Sequence, residues 1–181
     1  NLVRNFVSVD GCEVINVADC RLDRLAAVTE HYKSINTTED PMDLLNDDNV
    51  DAVVIATAAC THYDFAKKAL TRGKHVLIEK PMTVSSLEAK ELITLGKKNH
   101  LLVMVDHTFL YTGAVQKIKE LIEQDKLGIP KYYDATRINL GLFQPDVNVL
   151  WDLASHDVAI LLYVLDEKPI SVNAVGISHT E

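Results

Sequence analysis

Apolar runs and amphipathic runs alternate along most of the chain. The apolar runs predict strands at residues 13–20, 50–60, 75–78 and 101–111. Between them, apolar side chains recur at helical spacing, as Leu22, Leu25 and Val28 do within residues 21–32. Other amphipathic runs, one of them only seven residues long, predict helices at residues 41–47, 61–73, 85–99 and 113–128. Alternation of this kind predicts an α/β fold, with a doubly wound parallel sheet that carries helices on both faces.

Local signals predict where these elements begin and end. The apolar run at residues 50–60 is continuous, which is typical of a strand covered on both faces. Thr61 with Asp64, and Ser85 with Glu88, have the spacing of capping boxes at helix starts. Gly73 stands where a helix would end in a left-handed residue.

The pattern changes near residues 127–131, where we place a domain boundary. We expect a sheet-and-helix domain over residues 1–128 and the beginning of a second, α+β domain over residues 129–181. In the second domain, residues 131–140 and 169–179 predict strands, 143–148 a loop, and 149–165 a long helix. The opening segment NLVRNFVSV lacks Met and has helical spacing. We therefore expect that a first strand precedes Asn1 and that the second domain continues beyond Glu181.

Composition and charge exclude several classes of function. The chain has 181 residues, a net charge of −8 and no Lys/Arg-rich block, so nucleic acid is not an expected partner. No apolar run approaches the roughly 18 residues of a membrane span. The three cysteines, at positions 12, 20 and 60, are odd in number and widely spaced. We expect them to be reduced and buried in a cytoplasmic protein, with neither a disulfide framework nor a zinc site.

Polar residues follow the predicted strands on one rim of the sheet: Asp19, Thr57, Lys80 and His107. Parallel sheets bind ligands outside the carboxyl ends of their strands. An acid at the position of Asp19 can accept hydrogen bonds from both ribose hydroxyls of a dinucleotide and would repel a 2′-phosphate, which favours NAD over NADP. Arg21 complicates this preference because it can turn toward a phosphate. The alternative is that Asp19 is a solvated residue at a strand end.

Lys80 lies between Glu79 and Pro81 at the end of the strand in GKHVLIEKPM. The proline restricts the backbone of the lysine and makes a cis peptide bond possible. An ammonium held at a ligand-facing edge can bind an alcohol oxygen and stabilise negative charge that develops there. The alternative is a surface ion pair of Glu79 with Lys80.

Asp152 and His156 are spaced i, i+4 on the predicted long helix, so they would share a face about 5–6 Å apart. A carboxylate beside an imidazole orients the ring, which can then exchange a proton with a substrate hydroxyl. The alternatives are a surface pair or a core histidine, and metal binding is less favoured because no third ligand has suitable spacing. His62 and His107 can line a pocket but also fit structural roles.

Two segments, VDAVVIATAACTHYDFAKKALTRGKHVLIEKPM with its E-K-P and LWDLASHD with its D-x-x-x-H, resemble the Gfo/Idh/MocA oxidoreductase family. NLVRNF resembles the segment after the glycine loop in many members, and EVINVADC resembles their second strand. VDHTFLY is similar to members from sugar and sugar-nucleotide pathways. The resemblance covers nearly the whole chain. It implies a Rossmann NAD(P) domain followed by an α/β domain whose open sheet is commonly used for oligomerisation, and hence a homo-oligomer.

The resemblance also implies residue roles. Lys80 would stand at the reacting hydroxyl, with Asp152 and His156 as the partner pair from the second domain. The implied cofactor-binding residues are Asp19, Thr57, His62, Glu79 and Lys80. The sequence departs from the family in three places: no G-x-G-x-x-G loop is present, Ala58 follows Thr57 where many members have proline, and Leu110 stands where some have arginine.

The implied activity is hydride transfer between a nicotinamide cofactor, NAD or NADP, and a secondary hydroxyl of a sugar, sugar nucleotide or cyclitol. Two alternatives remain open. An NAD-dependent glycosidase of the same family would begin with the same redox step and end in elimination, so it would release an aglycone without net NADH. A nicotinamide-bound sensor or scaffold would bind cofactor without turnover.

Overall fold

The chain forms two units of structure, Asn1–Asp106 and His107–Glu181. A computed structural model describes them over residues 2–138 and 147–177. The division falls earlier than the boundary predicted between residues 128 and 129, because the helix at Gly113–Glu123 packs against the helix at Ser155–Leu165 in the second unit. The predicted boundary of the domains themselves stays a prediction.

With one strand added, the first unit alternates helices and strands in the predicted order. Its elements are α1 (Leu2–Val7), β1 (Asn16–Ala18), α2 (Leu22–His31), β2 (Asn36–Thr38), α3 (Pro41–Asn46), β3 (Ala52–Ile55), α4 (Ala59–Thr71), β4 (His75–Ile78), α5 (Ser86–Lys98) and β5 (Val103–Val105). The short strand β2 was not predicted, because the polar sequence Asn36–Thr38 carries no apolar run. The predicted strand at residues 101–111 is wrong over its second half, where Thr108–Tyr111 forms a 3-10 helix.

The strands form two parallel sheets. β1 pairs with β2, and β3, β4 and β5 form a second sheet in that order. In the second sheet Ile55 is aligned with Ile78, and Ile78 with Val105. All three pairings are parallel, which confirms the sheet type predicted from the alternation of strands and helices.

One face of the three-stranded sheet carries most of the core. Helices α4 and α5 pack on this face, where Val76 and Ile78 are buried together with Leu70 and Leu92. On the opposite face Val54 is 38% exposed and Met104 47% exposed. The described residues therefore cover that face less completely, since α4 and α5 both pack on the first face and α2 packs on β1 and β2.

The helix boundaries follow some of the predicted signals. Ser85 caps α5, accepting a hydrogen bond from the backbone N–H of Leu87 at 3.2 Å. Gly73 follows α4 with φ at +78°, a conformation that favours glycine. The capping box predicted at Thr61 is wrong, because α4 begins at Ala59 and the Thr61 hydroxyl donates to the Ala58 carbonyl oxygen instead.

The cysteines are not buried as expected. Cys12, Cys20 and Cys60 are all exposed. The reason is that none lies in a strand: β1 ends before Cys20, and Cys60 falls in the first turn of α4 rather than in the strand predicted over residues 50–60.

The regular elements that the structure describes in the second unit are all helices. Its elements are the 3-10 helix Thr108–Tyr111, α6 (Gly113–Glu123), a π-helical turn (Leu150–Ala154) and α7 (Ser155–Leu165). The helix predicted over residues 149–165 is confirmed, with the π-helical turn at its start. Within the described part of the chain no helix has both the length and the apolar character needed to span a bilayer.

The two strands predicted for the second unit are not found in the described residues. Residues 131–138 and 169–177 have no strand structure, and residues 139–140 and 178–179 lie outside the described ranges. A strand needs a hydrogen-bonded neighbour, whereas Ile170 and Val172 are fully or largely exposed. Most of the predicted loop at 143–148 also lies outside the described residues.

Candidate functional site

Thr57 and Lys80 lie at the same edge of the three-stranded sheet. Each stands two residues past the end of its strand, and the two strands are paired up to Ile55 and Ile78. The Glu79 backbone N–H donates to the Ile55 carbonyl oxygen at 2.9 Å, which extends the pairing by one residue. The structure thus places these predicted site residues on adjacent strand ends, as the pattern indicates.

Lys80 is half-buried and connects to Pro81 through a cis peptide bond. Its backbone N–H donates to the Glu79 carboxylate at 3.2 Å. The strand before it is tied to β5 as well, since the Asp106 N–H donates to the Ile78 carbonyl oxygen at 2.8 Å. Because β4 is the central strand and is hydrogen-bonded on both sides, the backbone just before Lys80 is held in place.

His62 lies beneath this edge, on the first turns of α4, and is 1% exposed. Its Nδ1 atom is 2.9 Å from the Pro81 carbonyl oxygen, and its Nε2 atom is 3.1 Å from the Thr57 carbonyl oxygen. Both ring nitrogens therefore face backbone carbonyls. The cofactor-binding role predicted for His62 stays a prediction, and this geometry favours a role in holding the two loops.

Asp19 follows β1, in the other sheet. One carboxylate oxygen accepts from the Arg21 backbone N–H at 2.9 Å, and the other lies 3.4 Å from Nη1 of Arg24. The Arg21 guanidinium is engaged with Asp23 through two hydrogen bonds, of 2.5 and 3.1 Å. A partly exposed carboxylate at the carboxyl end of a parallel strand fits the ribose of a dinucleotide.

His156 lies in the first turn of α7, in the second unit, and is 9% exposed. Its ring meets the Phe109 ring edge-on, with centroids 4.7 Å apart and planes at 72°. Asp152 lies in the π-helical turn just before α7, so the α-helical i, i+4 geometry assumed from the sequence does not apply there. The pairing of Asp152 with His156 stays a prediction.

The structure adds an ion pair next to His156 that the sequence pattern did not predict. Arg137 donates from Nε and Nη2 to the two carboxylate oxygens of Asp157, at 3.0 and 2.9 Å. The guanidinium also lies 5.1 Å from the centroid of the Phe109 ring. The Arg137 hydrogen bond holds the pKa of the Asp157 carboxyl below its ordinary value, whereas burial raises the pKa of Tyr133.

The one sequence signal for this ion pair was that Asp157 immediately follows His156. Adjacent residues do not share a helix face, and Arg137 lies 20 positions away in a segment predicted as a strand. Only the folded chain shows that Arg137, Phe109, Asp157 and His156 form one group of side chains.

Residues 2–107 match the family model described as an oxidoreductase family with an NAD-binding Rossmann fold. The chain belongs to the Gfo/Idh/MocA family. The matched residues include the whole first unit that the structure describes, with Asp19, Thr57, His62 and the E-K-P segment. The resemblance seen in the sequence is therefore confirmed, as is the Rossmann-type fold predicted from it.

Named relatives in the Gfo/Idh/MocA family act on sugar-like compounds. The chain is 36% identical over 132 residues to a UDP-N-acetylglucosamine 3-dehydrogenase of Acidithiobacillus ferrooxidans, covering 71% of this chain and 40% of that protein. It is 29% identical over 179 residues to a scyllo-inositol 2-dehydrogenase (NAD⁺) of Bacillus subtilis, covering 96% of this chain and 52% of that protein.

A solved structure has the same fold. The crystal structure of an NAD-binding protein from Listeria innocua matches with a TM-score of 0.76 and 27% identity, covering 91% of this chain and 51% of that one. The chain thus spans about half the length of the relatives it matches, or less.

Proposed function

We propose that this Gfo/Idh/MocA chain is part of a dehydrogenase that oxidises or reduces a secondary hydroxyl of a sugar, sugar nucleotide or cyclitol. The observation that carries the proposal is the placement of Lys80 at a central strand end, beside Thr57, within a family described as NAD-binding oxidoreductases. The relatives named above support the substrate class.

In this proposal Lys80 donates a hydrogen bond to the substrate oxygen and stabilises the negative charge that develops on it. His156 takes the hydroxyl proton, and Asp152 holds the imidazole for that transfer. Support for His156 comes from its near-complete burial and its contact with Phe109, which limit the orientations open to the ring.

NAD, when bound, supplies the hydride acceptor for this reaction. Asp19 would hold the ribose hydroxyls, and Thr57 and Glu79 would lie along the nicotinamide half. The Arg21–Asp23 pair supports NAD over NADP, because Asp23 competes with a 2′-phosphate for the guanidinium. The proposal also includes a cytoplasmic location and assembly into a homo-oligomer. The homo-oligomer is proposed by analogy with the family.

The test is a spectrophotometric screen for NADH formation on sugars, sugar nucleotides and cyclitols, using the protein as its gene encodes it. On a responsive substrate, Lys80→Met should lower kcat at least about a hundredfold, because charge stabilisation at the reacting oxygen is lost. NADH affinity, measured by fluorescence, should remain within about twofold.

The matched control is Lys90→Met, the same substitution at an exposed position of α5. It should leave kcat unchanged. Equal turnover in Lys80→Met and Lys90→Met would contradict the role of Lys80. Release of an aglycone without net NADH would favour the glycosidase alternative, and cofactor binding with no turnover on any substrate would favour a sensor.

A further inference from the structure

One buried side chain joins the loops that carry Thr57 and Lys80. His62 contacts the Pro81 carbonyl oxygen through Nδ1 and the Thr57 carbonyl oxygen through Nε2, at 2.9 and 3.1 Å. The backbone pairing of β3 with β4 ends just before these loops, where the Glu79 N–H donates to the Ile55 carbonyl oxygen. His62 thus continues the connection between the two strand ends where backbone pairing stops.

The chemistry of the ring makes this connection specific. Carbonyl oxygens only accept hydrogen bonds, so each contact requires an N–H on the imidazole. The neutral ring has one N–H and donates to one carbonyl at a time, whereas the protonated ring donates to both. Because His62 is 1% exposed, water cannot readily replace it as the donor.

We propose that His62 is a positioning residue for the active site. It fixes the Pro81 carbonyl against the loop at Thr57, and through that carbonyl it sets where the Lys80 ammonium stands. The inference rests on the proposed function of Lys80. It assigns His62 to the support of the reacting lysine rather than to contact with the cofactor.

Two conservative variants separate the two contacts. In His62→Asn the amide nitrogen stands near the place of Nδ1 and can still donate to the Pro81 oxygen. In His62→Gln it stands near the place of Nε2 and can donate to the Thr57 oxygen. If the contact with Pro81 positions Lys80, His62→Asn should keep kcat within about threefold, while His62→Gln should lower it about tenfold to a hundredfold. The KM for the cofactor should change by less than about twofold in both.

A second readout does not depend on activity. Hydrogen–deuterium exchange, followed by mass spectrometry, reports on the amides of residues 79–83. Exchange there should become faster in His62→Gln and stay near the wild-type rate in His62→Asn, because only the former loses the donor to Pro81.

Lys74→Met is the matched control. Lys74 is also buried and also donates to two backbone carbonyls, those of Asp47 and Val50, but it lies at the opposite end of β4. Its loss should lower stability while leaving kcat and the exchange of residues 79–83 unchanged at a temperature where the protein stays folded.

Wild-type exchange and kcat in His62→Gln would overturn the proposal, as would an equal loss of kcat in Lys74→Met. Failure of both His62 variants to fold even in the cold would also overturn it, because a positioning role requires the fold to survive. The two proposals can fail separately. Unchanged turnover in Lys80→Met would contradict the role of that lysine. Hydrogen–deuterium exchange at residues 79–83 tests the His62 contact whether or not turnover is detected.

Discussion

The ammonium of Lys74 lies 2.6 Å from the carbonyl oxygen of Asp47, and it donates to the carbonyl oxygen of Val50 at 2.8 Å. Lys74 is 5% exposed and stands just before β4, whereas Asp47 and Val50 belong to the segment that leads into β3. One charged side chain therefore holds together the entrances of two adjacent strands.

Replacing Lys74 with Met should destabilise the first unit. Two hydrogen bonds from a charged donor are lost and two carbonyl groups lose a partner, so the free energy of unfolding should fall by about 2–4 kcal/mol. Urea denaturation followed by circular dichroism measures this. Lys33→Met, at an exposed position, should change it by less than about 0.5 kcal/mol; similar values for the two variants would show that the buried contacts contribute nothing.

Gly96 is required by close packing of α5 on β5. A Cβ atom at this position would stand 2.5 Å from Cγ2 of Val103 and 3.2 Å from the Leu101 carbonyl oxygen. Alanine normally stabilises a helix interior relative to glycine by up to about 1 kcal/mol. Here we expect Gly96→Ala to destabilise by about 1–3 kcal/mol instead, because overpacking outweighs the gain in helix propensity.

Two further variants test that explanation by thermal or urea unfolding. Gly113→Ala, where nothing lies within 4 Å of the added Cβ, should be neutral or stabilising. The double variant Gly96→Ala/Val103→Ala should lose less free energy of unfolding than the sum of the losses in the two single variants, because Val103→Ala removes the closest contact. A double variant whose losses are simply additive would argue against the contact with Val103.

Asp157 should make stability depend on pH. Its folded pKa lies below the ordinary value because Arg137 hydrogen-bonds to the ionised carboxylate, so the stabilisation is present above the unfolded pKa of about 4. It is lost as the pH falls through the folded pKa. At pH 7, Asp157→Asn should cost about 1 kcal/mol, since both side chains are partly exposed.

The measurement is denaturant unfolding of wild type and Asp157→Asn from about pH 7 down to about pH 3. The difference between them should be constant at neutral pH and shrink in acid. The exposed Asp48→Asn serves as the control and should follow the wild type throughout. A difference that grows as the pH falls would contradict the assigned direction of the pKa shift.

Asp23 should influence cofactor preference if Asp19 binds the ribose. Its carboxylate holds the Arg21 guanidinium, so Asp23→Ala releases a cation that can approach a 2′-phosphate. We expect the Kd for NADPH to fall about threefold, a modest effect because the pair is exposed, while the Kd for NADH changes less than twofold. Fluorescence titration measures both constants. In the double variant Asp23→Ala/Arg21→Ala the gain should disappear, and its persistence would exclude Arg21 as the cause.

The sequence alone determined the order of the elements in the first unit, apart from the short strand β2, and the type of its sheets. Alternating apolar and amphipathic runs are local features, and strands joined through helices run parallel with few exceptions. The E-K-P segment ended a predicted strand, and the structure places Lys80 at the end of β4 as expected. Family membership likewise came from motifs that can be read along the chain.

The tertiary structure decided what depends on partners distant in sequence. Only packing showed that one sheet face carries most of the core, that Cys60 lies in a helix, and that residues 131–138 form no strand. The contacts of His62 span five and 19 residues, and those of Arg137 span 20. Hydrogen bonds over 19 or 20 residues form only when folding brings elements together, so no local pattern of residue types encodes them.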